Sequence, residues 1–218
     1  DERVLDDTDV LFVFGLDHAV TEQEAQPGEI EALRAFLARE DACLVLGPHH
    51  DVGSSDDLKV REMEYRHHGD PLVPRQQRFA TYVRDLMRGL GVPVMNRYGL
   101  RPATREGNQI APLSTVRDLD PKGWLEGVTN FNFHMHLPHY DVTTDDPEAI
   151  RVLARQPIDT SRPHPFTEAG NTEFNMFLWM PPSGDRAADL LLADSTIFSS
   201  LFGGDDSLRN FWRNVVSK

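Results

Sequence analysis

Short apolar runs that end at glycine, proline or aspartate constrain the fold of this chain more than any other feature. They span residues 9–15, 42–46 and 188–193 and are rich in Val, Leu and Phe. Runs this short that are mainly apolar and do not alternate with polar residues are typical of strands buried on both faces of a sheet. Between the first two runs, apolar residues recur at the spacing of one helix face, at Ile30, Leu33, Phe36 and Leu37.

The rest of the chain continues this alternation. Apolar patterns predict helices over residues 76–90 and 207–216, and strands over residues 92–95, 128–137, 149–154 and 175–180. We therefore predict an α/β, flavodoxin-like fold, with a mostly parallel sheet and helices on both faces. It forms a single domain over residues 1–218, with a long polar loop inserted at about residues 49–75.

Composition limits the partners. The formal net charge is −13 and the pI is about 5.0, which argues against nucleic acid, because a nucleic-acid-binding surface needs basic residues to neutralise phosphates. No run of about 18 apolar residues is present, so we predict no membrane insertion. The expected partner is a small-molecule substrate, and an oligomer remains open.

No signal peptide is visible, which favours the cytoplasm over secretion. Cys43, the single cysteine, is expected in the core.

Histidine concentrates the chemistry of the sequence. Seven of the nine histidines fall in three clusters, which are His49-His50, His67-His68 and the run from Phe131 to His139. Imidazole is the commonest metal ligand in proteins and the usual proton carrier near neutral pH. These clusters are therefore the candidates for a metal site or a proton-transfer site. The pair His67-His68 lies in the predicted loop and is expected to be exposed, with a lid that brings it over the pocket as the alternative.

The third cluster has a period of two. Asn132, His134 and His136 alternate with apolar residues, so on a strand they share one face, and His139 follows in the next turn. Two imidazoles on one strand face, with a third ligand from a turn, are a frequent arrangement for Zn, Fe or Mn. In this interpretation His134, His136 and His139 are the metal ligands. A solvated edge strand and hydrogen-bonding roles without a metal remain open alternatives.

Polar residues also follow several predicted strands, at Asp17-His18, His49-His50-Asp51, Asn96-Arg97 and Asp194-Ser195. In an open parallel sheet, ligands bind at the carboxyl ends of the strands. The candidate catalytic residues are therefore His18, His49, His50 and Asp51. The candidate substrate-binding residues are Asn96, Ser195 and Arg97, of which Arg97 suits an anionic group. Asp and Ser are also standard helix N-caps, which is the alternative interpretation of Asp194-Ser195.

Three segments together resemble a known family. Residues 9–47 read as strand, turn, the capping sequence Thr21-Glu22-Gln23-Glu24, helix and a strand that ends Leu44-Val45-Leu46-Gly47. Gly127-Val128 introduces a strand, and Leu191-Leu192-Ala193-Asp194-Ser195-Thr196-Ile197-Phe198 precedes Asn210-Phe211-Trp212-Arg213-Asn214. This pattern resembles the class I glutamine amidotransferase-like superfamily, in the non-amidotransferase branch that includes gliding-motility transporter auxiliary domains and related domains of unknown function. The resemblance implies the fold more than an activity.

Two departures from the superfamily argue against glutamine hydrolysis. Amidotransferases place a cysteine at the turn after a central strand, and a His-Pro-Glu sequence late in the chain. Here Gly47-Pro48-His49-His50 stands near that turn and Asp194-Ser195-Thr196 stands at the late position, while Cys43 lies within its strand. We therefore expect a hydrolytic enzyme with a histidine-rich site, dependent on a divalent metal, at the carboxyl edge of the sheet. The alternative is a non-catalytic binding or assembly domain on the same fold.

Overall fold

The computed structural model describes residues 2–15, 23–69, 76–77, 81–106, 109–131, 136–199 and 203–217. The strands are β1 (Val10–Gly15), β2 (Cys43–Pro48), β3 (Val94–Leu100), β4 (Ser114–Thr115), β5 (Leu137–Val142), β6 (Arg151–Pro157), β7 (Glu173–Met180) and β8 (Asp189–Ala193). The helices are α1 (Glu2–Asp6), α2 (Pro27–Leu37), α3 (Leu58–His68), α4 (Thr81–Gly89), α5 (Pro165–Glu168) and α6 (Asp205–Val216). None of the described helices is both long and apolar enough to cross a membrane.

Six strands form the main sheet, in the order β1-β2-β8-β7-β6-β4. The first three, β1, β2 and β8, run parallel to one another. The sheet then continues through antiparallel pairs from β8 to β7, β6 and β4. A second, two-stranded sheet pairs β3 with β5 in antiparallel register. The predicted α/β fold is confirmed, but the main sheet is mixed rather than mostly parallel.

Side chains of the main sheet alternate between two hydrophobic cores. On one face, Leu44 and Leu46 of β2 pack in a core with residues of α2 and α4. On the other face, Cys43 and Val45 belong to a core that includes residues of α6. All six residues of β2 are buried, as expected for a strand covered on both sides. Burial, with the nearby charge of Asp189, raises the pKa of Cys43 to about 12, so this thiol is a core residue, as predicted.

Residues 58–68, within the segment predicted as a loop, form helix α3. The loop prediction is wrong here, although the helix has standard ends. Asp57 caps it by accepting hydrogen bonds from backbone N–H groups of the first turn, and Gly69 ends it in the left-handed conformation. The buried residues of α3 are Glu64, Tyr65, His67 and His68. Since none of them is aliphatic, the helix lacks the apolar periodicity by which helices are recognised in sequences.

The strand predicted at residues 128–137 is not found in the described residues of that segment before Leu137. Described residues 128–131 are irregular, and β5 begins only at Leu137. The backbone N–H groups of Thr129 and Asn130 donate to the hydroxyl of Ser207 on α6 instead of to a neighbouring strand. His136 therefore precedes the strand. The predicted end of the preceding strand is also wrong, because β3 continues to Leu100 and contains Asn96 and Arg97.

Candidate functional site

The parallel strands β2 and β8 lie side by side and bring two polar turns together at their carboxyl ends. His49 and His50 directly follow β2, and Asp194 directly follows β8. The buried hydroxyl of Ser195 donates to the carbonyl oxygen of Gly47 at 2.7 Å, which ties the two strand ends together. Because β2 and β8 are parallel neighbours, these two turns meet at the same edge of the sheet, where both strands have their carboxyl ends.

Asp194 is fully buried and contacts both histidines of the first turn. Its Oδ2 lies 3.1 Å from His50 Nδ1, and its Oδ1 lies 3.3 Å from His49 Nδ1. Oδ1 also accepts hydrogen bonds from the backbone N–H and the hydroxyl of Thr196, so Asp194 is the N-cap of a 3₁₀ turn at Ser195–Phe198. Burial alone raises the pKa of Asp194, but the charges and hydrogen bonds of His50 and His49 outweigh burial and hold that pKa well below its usual range.

Three imidazoles converge beside this carboxylate. His50 Nε2 lies 2.8 Å from His136 Nδ1 and 3.4 Å from His68 Nε2. The three nitrogens lie within 4.8 Å of one another, close enough to hold one metal ion. His50, His49 and Asp194 form a second group that meets the same criterion. Because the Nδ1–H of His50 faces Asp194, the neutral ring has its lone pair on Nε2, directed at the other two imidazoles.

Sequence reasoning assigns no site role to His68 and Asp194, although it singles out the His67-His68 cluster and the Asp194-Ser195 turn. His68 ends α3 and is buried, as is His67, so the expectation that this pair is exposed is wrong. Asp57 and Gly69 were the available signals, because a standard N-cap and a C-terminal glycine mark the ends of α3. Asp194 is recognisable as an N-cap, but the contact of its second oxygen with His50 depends on tertiary structure.

Arg84 and Asn96 fix the turn that carries His49 and His50 by hydrogen bonds to its backbone. Arg84 Nη2 and Asn96 Nδ2 both donate to the carbonyl oxygen of His49, at 3.2 and 2.6 Å. Arg84 also makes two hydrogen bonds to the carboxylate of Asp51, at 2.9 and 3.0 Å. Asp51, a predicted catalytic residue, is therefore ion-paired with Arg84 beside the converging imidazoles.

His139, a predicted metal ligand, belongs to a different cluster. Its ring centroid lies 4.5 Å from that of Phe166, and its buried Nδ1 has no hydrogen-bond partner among the described residues. His164 caps α5 by accepting from the backbone N–H of Phe166. Burial lowers the pKa of His139 to about 4; burial and the neighbouring His67 and His139 lower the pKa of His164 to about 3. His139 is placed here because β5 begins at Leu137 and directs it toward α5.

The structure describes only some of the remaining candidate site residues. His18 and His134 lie outside the described residues. Arg97 pairs with Asp141, with Nη2 and Oδ2 2.9 Å apart. Arg97 and Asn96 both line a cavity beside the His49–Asp51 turn. Of the three predicted metal ligands, His136 is the one found among the converging nitrogens of the described residues.

Gly99 on β3 leaves room for the imidazole of His50. A Cβ built at Gly99 would lie 2.6 Å from His50 Nε2. The ring cannot withdraw easily, because it is fully buried and bonded to Asp194. We therefore expect Gly99→Ala to lower the free energy of unfolding by about 1–3 kcal/mol, measured by urea denaturation.

Gly28→Ala is the matched control for this substitution. Gly28 lies in α2, and a Cβ built there meets no atom within 4 Å. Alanine favours helix more than glycine does, so stability should stay unchanged or rise slightly. Equal stability of the wild type and Gly99→Ala would show that the His50 ring is less constrained than its contacts indicate.

No family model matches this chain, and no similar curated protein or solved structure was found. The geometry of His50, His68, His136 and Asp194 is therefore the basis for assigning a function.

Proposed function

We propose that His50, His68 and His136 hold one divalent metal ion in an enzyme that hydrolyses a small molecule. The observation that carries this proposal is the convergence of three imidazole nitrogens, one from each residue, within 4.8 Å. Three protein ligands with an open fourth position are the usual arrangement of catalytic zinc. An all-imidazole set suits Zn or Fe better than Mn, which prefers carboxylate and water ligands.

Asp194 supports a metal at this position. Metal-binding histidines usually donate their second ring N–H to a carboxylate or carbonyl, which fixes the orientation of the ring and makes its other nitrogen a better ligand. His50 has this arrangement, with Nδ1 3.1 Å from Asp194 Oδ2 and Nε2 facing His68 and His136. The buried negative charge of Asp194 also offsets part of the charge of a divalent cation.

The nitrogen separations are close to those of a tetrahedral site, but one ring must reorient to complete it. Zn–N bonds of about 2.0–2.1 Å place two ligand nitrogens about 3.3 Å apart. The His50–His68 separation of 3.4 Å agrees with this value, whereas the His50–His136 separation of 2.8 Å is shorter. His136 is only partly buried and precedes β5, but its ring stacks on that of His68, with centroids 3.4 Å apart. Because a metal ion lies in the plane of each imidazole that binds it, the His136 ring must turn out of this stack to meet the Zn–N geometry.

A divalent ion at this position supplies a water molecule activated for attack on an acyl or related bond near neutral pH. His49 is the residue of this chain suited to move a proton there. It contacts the same carboxylate as His50, but its side chain is 15% exposed while that of His50 is fully buried. We therefore assign proton transfer between the site and solvent to His49.

The alternative function is a non-catalytic binding or assembly domain. The observation that favours it is the His136–His50 distance of 2.8 Å, which matches a direct N–H···N hydrogen bond without a metal. In this alternative, the histidines and Asp194 form a buried polar network that fixes the ends of β2, α3 and β8.

The relation to the amidotransferase-like superfamily, with its flavodoxin-like sheet, is also a proposal. It is supported by the parallel order β1-β2-β8 and by the polar turns after β2 and β8. The antiparallel half of the sheet is a departure from a flavodoxin-like arrangement.

Metal analysis of protein prepared without a histidine tag tests the proposed function. We expect one equivalent of Zn or Fe. His68→Ala and His136→Ala should each weaken Zn²⁺ binding at least about 100-fold, because losing a ligand costs more than losing an outer partner of a ligand, which costs about 10–100-fold. Competition with a chromophoric chelator measures the affinity.

His164→Asn is the control for these variants, since His164 is a buried histidine outside the converging group. Its metal affinity should equal that of the wild type. Metal-free protein that loses stability in both His68→Ala and His136→Ala would favour the binding domain instead, because these rings then belong to a buried polar network.

A further inference from the structure

A cavity of about 440 Å³ lies beside the turn that carries His49 and His50, between α4 and β3. Its volume is within the range of about 300–1,000 Å³ that is common for small-molecule sites. Helix α4 contributes Arg84 and Arg88 to the wall, and β3 contributes Asn96 and Arg97. This wall is separate from the three converging imidazoles, none of which lines the cavity.

More arginines than acidic residues line the cavity, although the chain is strongly acidic. The sequence has 22 Lys and Arg residues against 35 Asp and Glu residues. Arg84, Arg88 and Arg97 line the cavity, with Asp51 as the one acidic residue among the lining residues. The carboxylates that pair with Arg88 and Arg97, those of Asp85 and Asp141, are not among the lining residues. Each arginine has one carboxylate partner, so an anion in the cavity would compete with Asp85 and Asp141 for Arg88 and Arg97.

The three arginines differ in how firmly they are held. Arg84 is fixed by its two hydrogen bonds to Asp51 and by its bond to the His49 carbonyl. Arg97 and its partner Asp141 are 42% and 45% exposed, and the side chain of Arg88 is 78% exposed. Ion pairs this exposed are weak. Arg88 and Arg97 are therefore free to turn toward a bound oxyanion, which the planar guanidinium group can bind through two hydrogen bonds.

The cavity is connected to the histidine site through the backbone of His49. Arg84 and Asn96, which line the cavity, both donate to the His49 carbonyl oxygen. The next residue is His50, whose ring faces His68 and His136. A molecule in the cavity would thus bind against one side of the turn that presents His50.

We propose that this cavity binds the anionic group, a carboxylate or a phosphate, of the substrate on which the neighbouring metal site acts. That the anion belongs to a substrate rests on the proposed function, whereas binding of the anion itself needs no metal. Arg88 and Arg97 bind the oxyanion, and Arg84 supplies a fixed positive charge behind them.

The test uses the 218-residue chain freed of metal with EDTA. Inorganic phosphate and acetate are titrated separately by calorimetry, at an ionic strength held constant with sodium chloride to exclude general screening. We expect saturable binding of at least one anion, and the tighter of the two identifies the group as phosphate or carboxylate. The double variant Arg88→Gln/Arg97→Gln should raise the Kd at least about tenfold, because it removes both mobile guanidinium groups.

Arg209→Gln/Arg213→Gln is the matched control, since it removes the same charge from exposed positions on α6. Its Kd should equal that of the wild type. Absence of saturable binding, or equal weakening in the two double variants, would overturn the anion site. If the anion binds but the protein as purified holds no metal, the anion site stands and the proposed metal site fails. The anion then cannot be assigned to a substrate of that metal site.

Discussion

Asp194→Ala is expected to lower the free energy of unfolding by about 3–5 kcal/mol, the usual cost of removing one partner from a buried charged pair. The substitution removes the carboxylate that accepts hydrogen bonds from His49 and His50, and it removes the N-cap of Ser195–Phe198. Asp194 is fully buried, so water cannot readily take its place. Urea denaturation near neutral pH measures the change.

Two companion variants separate the causes of this loss. Asp57→Ala removes only an exposed N-cap and should cost about 1 kcal/mol. Asp194→Asn keeps an oxygen for the cap but presents an amide to His50, so it should cost less stability and weaken Zn²⁺ binding by about 10–100-fold. If Asp194→Ala costs no more than Asp57→Ala, then the contacts of Asp194 with the two histidines do not stabilise the fold.

The parallel half of the sheet was predictable because its strands are short and apolar, although β1 is only partly covered. β2 and β8 are buried at every residue, and each ends at a turn signal. The antiparallel half also had a signal, in the length of a connection. Only residues 181–188 separate β7 from β8, whereas parallel strands need a crossover of about a dozen or more residues. This length requires antiparallel pairing, and apolar patterns alone do not reveal it.

The residues of the candidate site also differ in whether the sequence predicts them. His49 and His50 could be assigned from the sequence, because the carboxyl ends of neighbouring parallel strands meet at one edge. His68 could not, since its helix buries polar and aromatic side chains where a pattern search expects aliphatic ones. His136 is among the converging residues, but it reaches His50 from the segment before β5 rather than from a strand face. Such a contact depends on where β5 begins, which local sequence defines poorly.

Acidification from pH 7 to pH 5 is expected to destabilise the protein through His139 and His164. Burial lowers the pKa of these histidines from 6.5 to about 4 and about 3. Within this pH window the unfolded chain takes up a proton at each histidine, while the folded chain does not. Stability is therefore full above about pH 6.5 and decreases as the pH falls toward the folded-state pKa values. Each histidine contributes about 1.4 kcal/mol per pH unit.

The double variant His139→Phe/His164→Asn isolates this effect. Phenylalanine retains a ring beside Phe166, and asparagine retains an acceptor for the backbone N–H of that residue. With EDTA present, the variant should lose about 2–3 kcal/mol less than the wild type between pH 6 and pH 5, measured by urea denaturation. This range lies above the ordinary carboxylate pKa of about 4, so aspartates and glutamates add little to the difference. Equal losses in the two proteins would contradict the assignment, because the acid sensitivity would then arise outside His139 and His164.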